Sequence, residues 1–415
     1  MRVVIVGNGA AGNQAAASIR KYSSECEIIM FAREPFPEYS ACALPDVLAG
    51  WIPLDKTYLK TWADYEEQQI KTCFGREVES IDINNQTLEA GGETYHYDRL
   101  IMASGSRPII PAIDGTHLKG NFVVKTPHDI ELIIQHKPGR AVVVGAGNIG
   151  IETAAALRHR GCEVSIIEMQ DRIMPLLYDQ KPAGRIQTLL EQENIQVFIG
   201  ERVTEVVGGQ QVERLLTDQQ TIECDTVIWA AGVRQNNELA RKAGLKIGDL
   251  GGIEVDKHMR CSHPVVLACG DCVESSHVFT GKPSLSLLWS SAKRQADVAA
   301  ANCMGQTCEY EGSCSLVIEE IMGIPCIAIG LNLQGLAGYE VEVIEHESQD
   351  IYCRLLIVND RIAGYQCIGS LDGASSIFTM IKKGTTLSEA RKVLLNKNSL
   401  SDMAWYLDCS RYVEY

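Results

Sequence analysis

Short apolar runs alternate with longer helical patterns along the chain. Val3 to Val6 is a fully apolar strand, Asn13 to Lys21 is an alanine-rich helix, and Glu27 to Phe31 is a second strand. The same order returns in the strands Ala141 to Val144 and Glu163 to Ile167 and in the helix between them. Strands that alternate with helices form parallel sheets covered on both faces. The pattern therefore predicts an α/β fold with two doubly wound, Rossmann-like domains.

A glycine-rich turn follows the first strand of each unit. The first glycine of such a turn permits the tight bend, the second lets backbone approach a pyrophosphate, and the third lets helix and strand close. The helix N-terminus then attracts the negative charge. We predict two dinucleotide sites, built on Gly7, Gly9 and Gly12 and on Gly145, Gly147 and Gly150.

A carboxylate at the end of the second strand would accept hydrogen bonds from the ribose hydroxyls and repel a 2'-phosphate. Glu168 has this position in the second unit and predicts a preference for NAD(H) over NADP(H). In the first unit the strand ends at Ala32, and the nearest acid is Glu34. We predict Glu34 as the ribose ligand there, and the alternative is a solvated turn carboxylate.

Three later segments have small or acidic residues where a strand ends. Tyr97 to Pro108 and Thr226 to Arg234 each lead from a strand into a small-residue turn and suggest crossovers between domains. Val265 to Cys269 is an apolar strand that ends in a Gly-Asp-Cys sequence, where a carboxylate faces the ligand crevice. We predict that these turns contribute Ser104, Gly105, Gly232 and Asp271 to nucleotide binding.

The last quarter of the chain has a different pattern. Tyr352 to Val358 and Arg361 to Gly369 predict a strand hairpin around Asn359-Asp360, and Ser375 to Lys383 predicts a short amphipathic helix. We therefore predict a C-terminal α+β domain. The tail from Met403 to Tyr415 is rich in aromatic residues and predicts either an interface or docking onto this domain.

Composition narrows the partners. A net charge of −15 repels phosphate backbones, so we expect no nucleic acid partner. The apolar runs are far shorter than the ~20 residues of a membrane helix, and Met1-Arg2 leads directly into a core strand, so we expect a cytoplasmic protein without a membrane span. The 15 cysteines lack paired spacing, which predicts reduced thiols and no metal site.

Together these motifs resemble the FAD-dependent pyridine nucleotide-disulfide oxidoreductase superfamily over essentially the whole chain. The resemblance implies that FAD is bound by the first fingerprint, Glu34, the Ser104-Gly105 turn and Asp271. It implies that NAD(H) is bound by the second fingerprint and Glu168. It also implies a discontinuous FAD-binding domain at 1–112 and 242–307, an NAD(H)-binding domain at 113–241 and a C-terminal interface domain at 308–415.

The role of Cys42 decides which electron acceptors are possible. Ser40-Ala-Cys42-Ala-Leu-Pro45 is similar to the segment that holds the redox cysteine of coenzyme A disulfide reductases and NADH peroxidases. Glutathione-reductase-like members have a second cysteine where this chain has Val47, so no dithiol forms at this place. The alternative role of Cys42 is that of a small apolar filler beside the flavin.

The C-terminal pattern resembles the third domain of NADH:rubredoxin reductases and of assimilatory nitrite reductases. We therefore expect an NADH-linked FAD enzyme that exchanges electrons with a protein iron centre, in a homodimer or as the flavin subunit of a larger complex such as a 2-oxoacid oxidoreductase. Redox proteins or iron-sulfur subunits are the expected partners. Two alternatives stay open: a Cys42-dependent disulfide, polysulfide or peroxide reductase, and an FAD-binding interaction module without turnover.

Overall fold

The computed structural model describes residues 1–390, and the aromatic-rich tail predicted as an interface lies outside them. The chain forms two compact units. Unit 1 consists of Met1–Ala43, Pro53–Arg107 and Val233–Ser313. Unit 2 consists of Leu44–Ile52, Pro108–Gly232 and the chain from Cys314 on. The predicted domain boundaries stay predictions.

Up to residue 108 the strands and helices follow in this order: β1 (Arg2–Val6), α1 (Ala10–Tyr22), β2 (Glu27–Ala32), α2 (Leu44–Ala49), α3 (Trp62–Glu67), β3 (Ile70–Phe74), β4 (Val78–Asp82), β5 (Thr87–Ala90), β6 (Glu93–His96), β7 (Arg99–Met102) and β8 (Ser106–Pro108). The next segment contains β9 (Asn121–Val123), α4 (Pro127–His136), β10 (Arg140–Val144), α5 (Asn148–His159), β11 (Glu163–Glu168), α6 (Gln180–Gln192), β12 (Ile195–Ile199), β13 (Val203–Val207), β14 (Arg214–Thr217), β15 (Thr221–Glu223) and β16 (Thr226–Trp229).

The chain returns to unit 1 with β17 (Val233–Gln235), α7 (Glu238–Lys242), β18 (Ile253–Glu254), β19 (Val266–Ala268), β20 (Val273–Ser276), β21 (Pro283–Leu285) and α8 (Trp289–Cys303). The last described segment contains β22 (Leu316–Ile321), β23 (Ile324–Gly330), β24 (Glu342–Glu347), β25 (Tyr352–Val358), β26 (Arg361–Ile368) and α9 (Ala374–Lys383).

Each unit contains one five-stranded parallel sheet with a fingerprint strand at its centre. The order is β19-β7-β1-β2-β3 in unit 1 and β12-β11-β10-β16-β9 in unit 2. The central strands are apolar because both of their faces are covered: Val3, Val4 and Ile5 have no exposed surface. The predicted α/β class and both Rossmann-like sheets are confirmed.

The C-terminal part of unit 2 contains an antiparallel sheet in the order β22-β23-β26-β25-β24, with α9 packed on β23 and β26. Asn359 and Asp360 both have positive φ, 51° and 59°, in the two-residue turn between β25 and β26. Asn and Asp tolerate this conformation, which matches the twist of a hairpin. The predicted hairpin and the predicted helix are therefore confirmed.

A buried polar cluster connects this antiparallel sheet to α6 within unit 2. Asp179, the N-cap residue of α6, accepts a hydrogen bond from the Gln366 amide at 2.9 Å and pairs with Arg354 at 3.2 Å. All three side chains are less than 9% exposed. Because removing one partner would leave a buried charge unpaired, the cluster fixes the place of the sheet on α6.

Candidate functional site

The first fingerprint has the backbone that its three glycines predict. Gly7 has a φ of +123°, and a Cβ at Gly7 would collide with the carbonyl oxygen of Ala103. A Cβ at Gly12 would collide with the carbonyl oxygen of Gly7, so helix α1 could not approach the turn. At Gly9 a Cβ would meet nothing within 4 Å. The second glycine therefore borders open space, as close approach of a ligand to the backbone requires.

The second fingerprint repeats this geometry in unit 2. Gly145 has a φ of +107° and packs against the Ala230 carbonyl, and a Cβ at Gly150 would collide with the carbonyl oxygen of Gly145. Gly147 again borders open space. The two turns are therefore the same structure built twice, although their sequences share little beyond the glycines.

The N-termini of helices α1 and α5 are suited to anions. Their N-cap residues, Gly9 and Gly147, provide no side-chain cap, and neither first turn contains an acidic residue. Helices of 13 and 12 residues carry partial positive charge at these ends. Both ends fit the pyrophosphate of a dinucleotide.

The predicted ribose carboxylates are held in different ways. Glu168 accepts hydrogen bonds from the backbone N–H groups of Ala146 at 2.8 Å and Gln170 at 2.9 Å, which place its carboxylate beside the glycine turn. Glu34 accepts a hydrogen bond from the Tyr39 hydroxyl at 2.8 Å. Both acids are half-buried. Their roles toward the ribose stay predictions.

The Ser104-Gly105 turn and Asp271 lie in one hydrogen-bonded region of unit 1. The Ser104 hydroxyl donates to the Asn236 carbonyl at 2.7 Å, and the Asn236 amide donates back to the Ser104 carbonyl at 2.8 Å. The Ser106 hydroxyl donates to the Asp271 carboxylate at 2.9 Å. This fixed orientation suits the Asp271 carboxylate for its predicted contact with FAD, and the contact stays a prediction.

Gly232 lies in unit 2, where the chain leaves the parallel sheet. Its φ is +97°, and its carbonyl accepts a hydrogen bond from the Ile109 N–H at 3.0 Å. The position therefore requires glycine for the backbone alone. Its predicted contact with a nucleotide stays a prediction.

Sequence reasoning missed the polar network that holds the segment before Cys42. The Asn8 amide donates to the Phe36 carbonyl at 2.7 Å, and the Tyr65 hydroxyl donates to Asn8 Oδ1 at 2.9 Å and Asn13 Oδ1 at 3.0 Å. The Glu38 N–H donates to the Tyr65 hydroxyl at 3.0 Å. The available signal was Asn8 inside the fingerprint and Asn13 directly after it.

Cys42 lies in a short 3-10 turn, Ala41–Ala43, directly before α2. The turn is held by the Ser40 N–H, which donates to the Thr57 carbonyl at 2.8 Å. Cys42 is exposed, whereas the other described cysteines are buried or half-buried. Burial raises the pKa of Cys269 and of Cys272, so these neighbours of Asp271 are kept as neutral thiols.

Two further carboxyls in unit 2 have strongly raised pKa values. Burial, with a smaller contribution from Asp46, raises the pKa of Glu152 to about 7. Burial, followed by the charge of Glu152, raises the pKa of Glu319 to about 8. The Tyr178 hydroxyl and Glu319 Oε2 are buried without a hydrogen-bond partner. Because Glu152 lies on α5, two residues after Gly150, this carboxyl pair adjoins the second fingerprint.

Two features are absent from the described part of the chain. No helix in residues 1–390 has the length and apolar character needed to cross a bilayer. No group of three or more His, Cys, Asp or Glu side chains in the same part of the chain could hold a metal ion.

Comparison with known proteins gives one family and several relatives. The family model of the pyridine nucleotide-disulphide oxidoreductases matches residues 1–301. An NADH oxidase of Methanocaldococcus jannaschii is 38% identical over 321 residues, which cover 75% of this chain and 71% of the relative. The assimilatory nitrate reductase electron transfer subunit of Bacillus subtilis is 30% identical over 401 residues, 95% of this chain. The chain spans about half, 51%, of that subunit.

Among solved structures, the NAD-dependent persulfide reductase from A. fulgidus is similar over 94% of this chain and 79% of its own. The TM-score is 0.90 and the sequence identity is 29%.

Proposed function

The chain belongs to the pyridine nucleotide-disulphide oxidoreductases and is an FAD-dependent NAD(P)H oxidoreductase; from that premise we propose that it reduces a sulfur–sulfur bond with NADH, through Cys42. The observation that carries this proposal is the exposure of Cys42 among buried and half-buried thiols. A nucleophile must be accessible to its acceptor, and the position of Cys42 meets this requirement.

The persulfide reductase supports the same acceptor class, because its likeness extends over nearly the whole chain and most of the relative. The proposal reverses the preference drawn from sequence for an iron-centre acceptor, which no observation has tested. An acceptor such as coenzyme A persulfide or disulfide has the required chemistry.

Different residues of the chain have different roles in the proposed reaction. The two fingerprints would hold the pyrophosphates, Glu168 would select NADH, and Asp271 would contact FAD. Bound FAD supplies the two-electron chemistry that connects NADH with the acceptor. The Cys42 thiolate attacks one sulfur of the acceptor and forms a mixed disulfide, while the other sulfur leaves as a thiolate and takes up a proton. Reduction by two electrons and protonation then release the second thiol and restore Cys42.

The test is Cys42→Ser, with Cys308→Ser as the control because Cys308 is half-buried. We expect Cys42→Ser to lower the turnover of coenzyme A persulfide or disulfide by more than about 100-fold, or ~2.7 kcal/mol of barrier. Reduction of the bound flavin by NADH, followed by stopped-flow absorbance, should change by less than about twofold. Equal persulfide rates in wild type and Cys42→Ser would refute a role for the thiol.

A second candidate is electron exchange with a protein iron centre, in a larger complex. Its support is the match of 95% of this chain to the nitrate reductase electron transfer subunit. In that case both cysteine variants would reduce an iron-sulfur protein at the wild-type rate, and wild type would have negligible activity on sulfur compounds.

A further inference from the structure

Two cysteines face each other across the hairpin of the C-terminal sheet. Cys353 on β25 is the direct register partner of Cys367 on β26. Opposite residues of an antiparallel pair have Cα atoms about 4.5 to 5.5 Å apart. A disulfide requires about 4.4 to 6.8 Å between Cα atoms. The backbone of the hairpin therefore already has the spacing of a disulfide.

The hydrogen bonds make the two thiols unequal. The Tyr365 hydroxyl donates to Cys353 Sγ at 3.6 Å. A hydrogen bond to Cys353, followed by burial, raises the pKa of Cys367. A hydroxyl donor beside the Cys353 sulfur suits this cysteine for the attacking role.

The pair lies at the open end of the hairpin. Cys353 is the second residue of β25, and Cys367 is the last but one residue of β26, far from the turn at Asn359-Asp360. The exposed fractions are 4% and 0%. Both strands lie inside the sheet, between β23 and β24, so a small reagent reaches the thiols only when this part of the sheet opens, which needs less free energy than global unfolding.

We propose that Cys353 and Cys367 form a dithiol–disulfide redox site that is oxidised by low-molecular-weight disulfides. The Cys353 thiolate attacks one sulfur of the disulfide, and the first small thiol leaves with a proton. Cys367 then attacks Cys353 Sγ in the mixed disulfide, loses its proton and releases the second small thiol. Two thiols of the protein lose two electrons and two protons, which the small disulfide gains as it becomes two thiols.

The bond would join the two strands on the sheet face opposite to the α6 contact. Arg354 and Gln366, the adjacent register pair, point to the other face and bind Asp179. Oxidation would therefore stabilise the hairpin without replacing any member of that cluster. The site is separate from the proposed role of Cys42 and does not depend on it.

The experiment uses the full chain with bound FAD under native conditions. Protein is incubated with oxidised glutathione, free thiols are blocked with N-ethylmaleimide, and non-reducing digests are analysed by mass spectrometry. We expect a peptide pair joined through Cys353 and Cys367 in wild type. The same pair should form in Cys326→Ser, the matched control, whose cysteine is buried on β23 of this sheet and lies opposite Ile368.

The two single variants test the order of attack. Cys367→Ser should accumulate a glutathione mixed disulfide on Cys353, while Cys353→Ser should leave Cys367 at least tenfold less modified. Thermal unfolding of wild type should shift to a higher temperature on oxidation and return on reduction with dithiothreitol. Absence of the joined peptides in native wild type, or their formation only in denaturant, would overturn the proposal; equal modification of both variants would overturn the role of Cys353.

Discussion

The two fingerprints have the same backbone and different surroundings two residues after the third glycine. In unit 1 this position is Gln14, whose amide donates to Asp297 on α8 at 2.7 Å. The Ser18 hydroxyl donates to the same carboxylate oxygen. In unit 2 the position is Glu152, a half-buried residue whose carboxyl has a raised pKa through burial and, to a smaller extent, the charge of Asp46. One fingerprint helix is thus fixed by satisfied hydrogen bonds, and the other carries a carboxyl that is costly to ionise.

This difference shows what the motif determines. The glycines determine how strand, turn and helix meet, because each collision concerns backbone atoms of the motif or of the adjacent strand. They do not determine the chemistry of the helix face, which depends on the elements packed against it. In unit 1 that element is α8, and in unit 2 it includes α2 and β22.

The largest expected effect is the difference between substituting the third glycine of a fingerprint and substituting the second. Gly150→Ala places a Cβ against the Gly145 carbonyl, whereas Gly147→Ala meets nothing within 4 Å. We expect Gly150→Ala to lower the thermal stability and to slow flavin reduction by NADH by more than about 100-fold, or ~2.7 kcal/mol. Gly147→Ala should fold as wild type does and lose only NADH affinity.

The corresponding pair in unit 1 should act on FAD instead. Gly12→Ala should yield protein without its yellow colour, and Gly9→Ala should yield folded protein with weaker FAD binding. Circular dichroism and the flavin absorbance of purified protein measure both results. A stable, fully yellow Gly12→Ala protein would contradict the equivalence of the two turns.

Local patterns made much of this predictable. The apolar strands, the glycine turns and the Asn359-Asp360 hairpin depend on neighbours within a few residues, so the sequence contains their signals. The partnership of Glu152 with Glu319 joins positions far apart in sequence, and so does that of Ser104 with Asn236. Such contacts follow from how the sheets and helices pack, and no periodicity predicts them.

The sequence pattern could not predict the exposure of Cys42 either. An alanine- and proline-rich segment is consistent with a buried filler and with a presented thiol. The Ser40 N–H donates to the Thr57 carbonyl and holds the turn from outside, and the role of the thiol stays a prediction.

A second test concerns how the NAD(H) site distinguishes the ribose of NADH from that of NADPH. Glu168 is fixed by two backbone N–H groups beside the glycine turn, where we predict that its charge repels a 2'-phosphate. Wild type should use NADH better than NADPH, and the double variant Glu168→Ala with Gln170→Arg should lower the ratio of the two kcat/KM values by at least about tenfold, or ~1.4 kcal/mol. The exposed neighbour Met169, changed to alanine, is the control. An unchanged ratio would mean that another residue reads the ribose.

The smallest effect tests the unequal helix faces through the pH dependence of stability. The folded-state pKa values of Glu152 and Glu319, about 7 and about 8, lie above the usual carboxyl value of 4.5. The folded protein therefore binds more protons than the unfolded chain, so this contribution to stability is complete below about pH 4.5 and is lost as pH rises through 7 and 8. Removing either carboxyl should therefore reduce the loss of folding stability at high pH.

We expect Glu152→Gln to raise the free energy of unfolding at pH 8.5 by about 1 kcal/mol relative to wild type and to have little effect at pH 5. Glu319→Gln should act in the same direction, because burial and then the charge of Glu152 raise its pKa. The exposed Glu163, changed to glutamine, is the control and should leave the pH profile unchanged. The measurement is urea unfolding followed by circular dichroism between pH 5 and 9. A Glu152→Gln variant that is less stable than wild type at pH 8.5 would contradict the prediction. The Glu152 carboxyl would then be ionised and paired in the folded protein, and both fingerprint helices would carry polar side chains with satisfied partners.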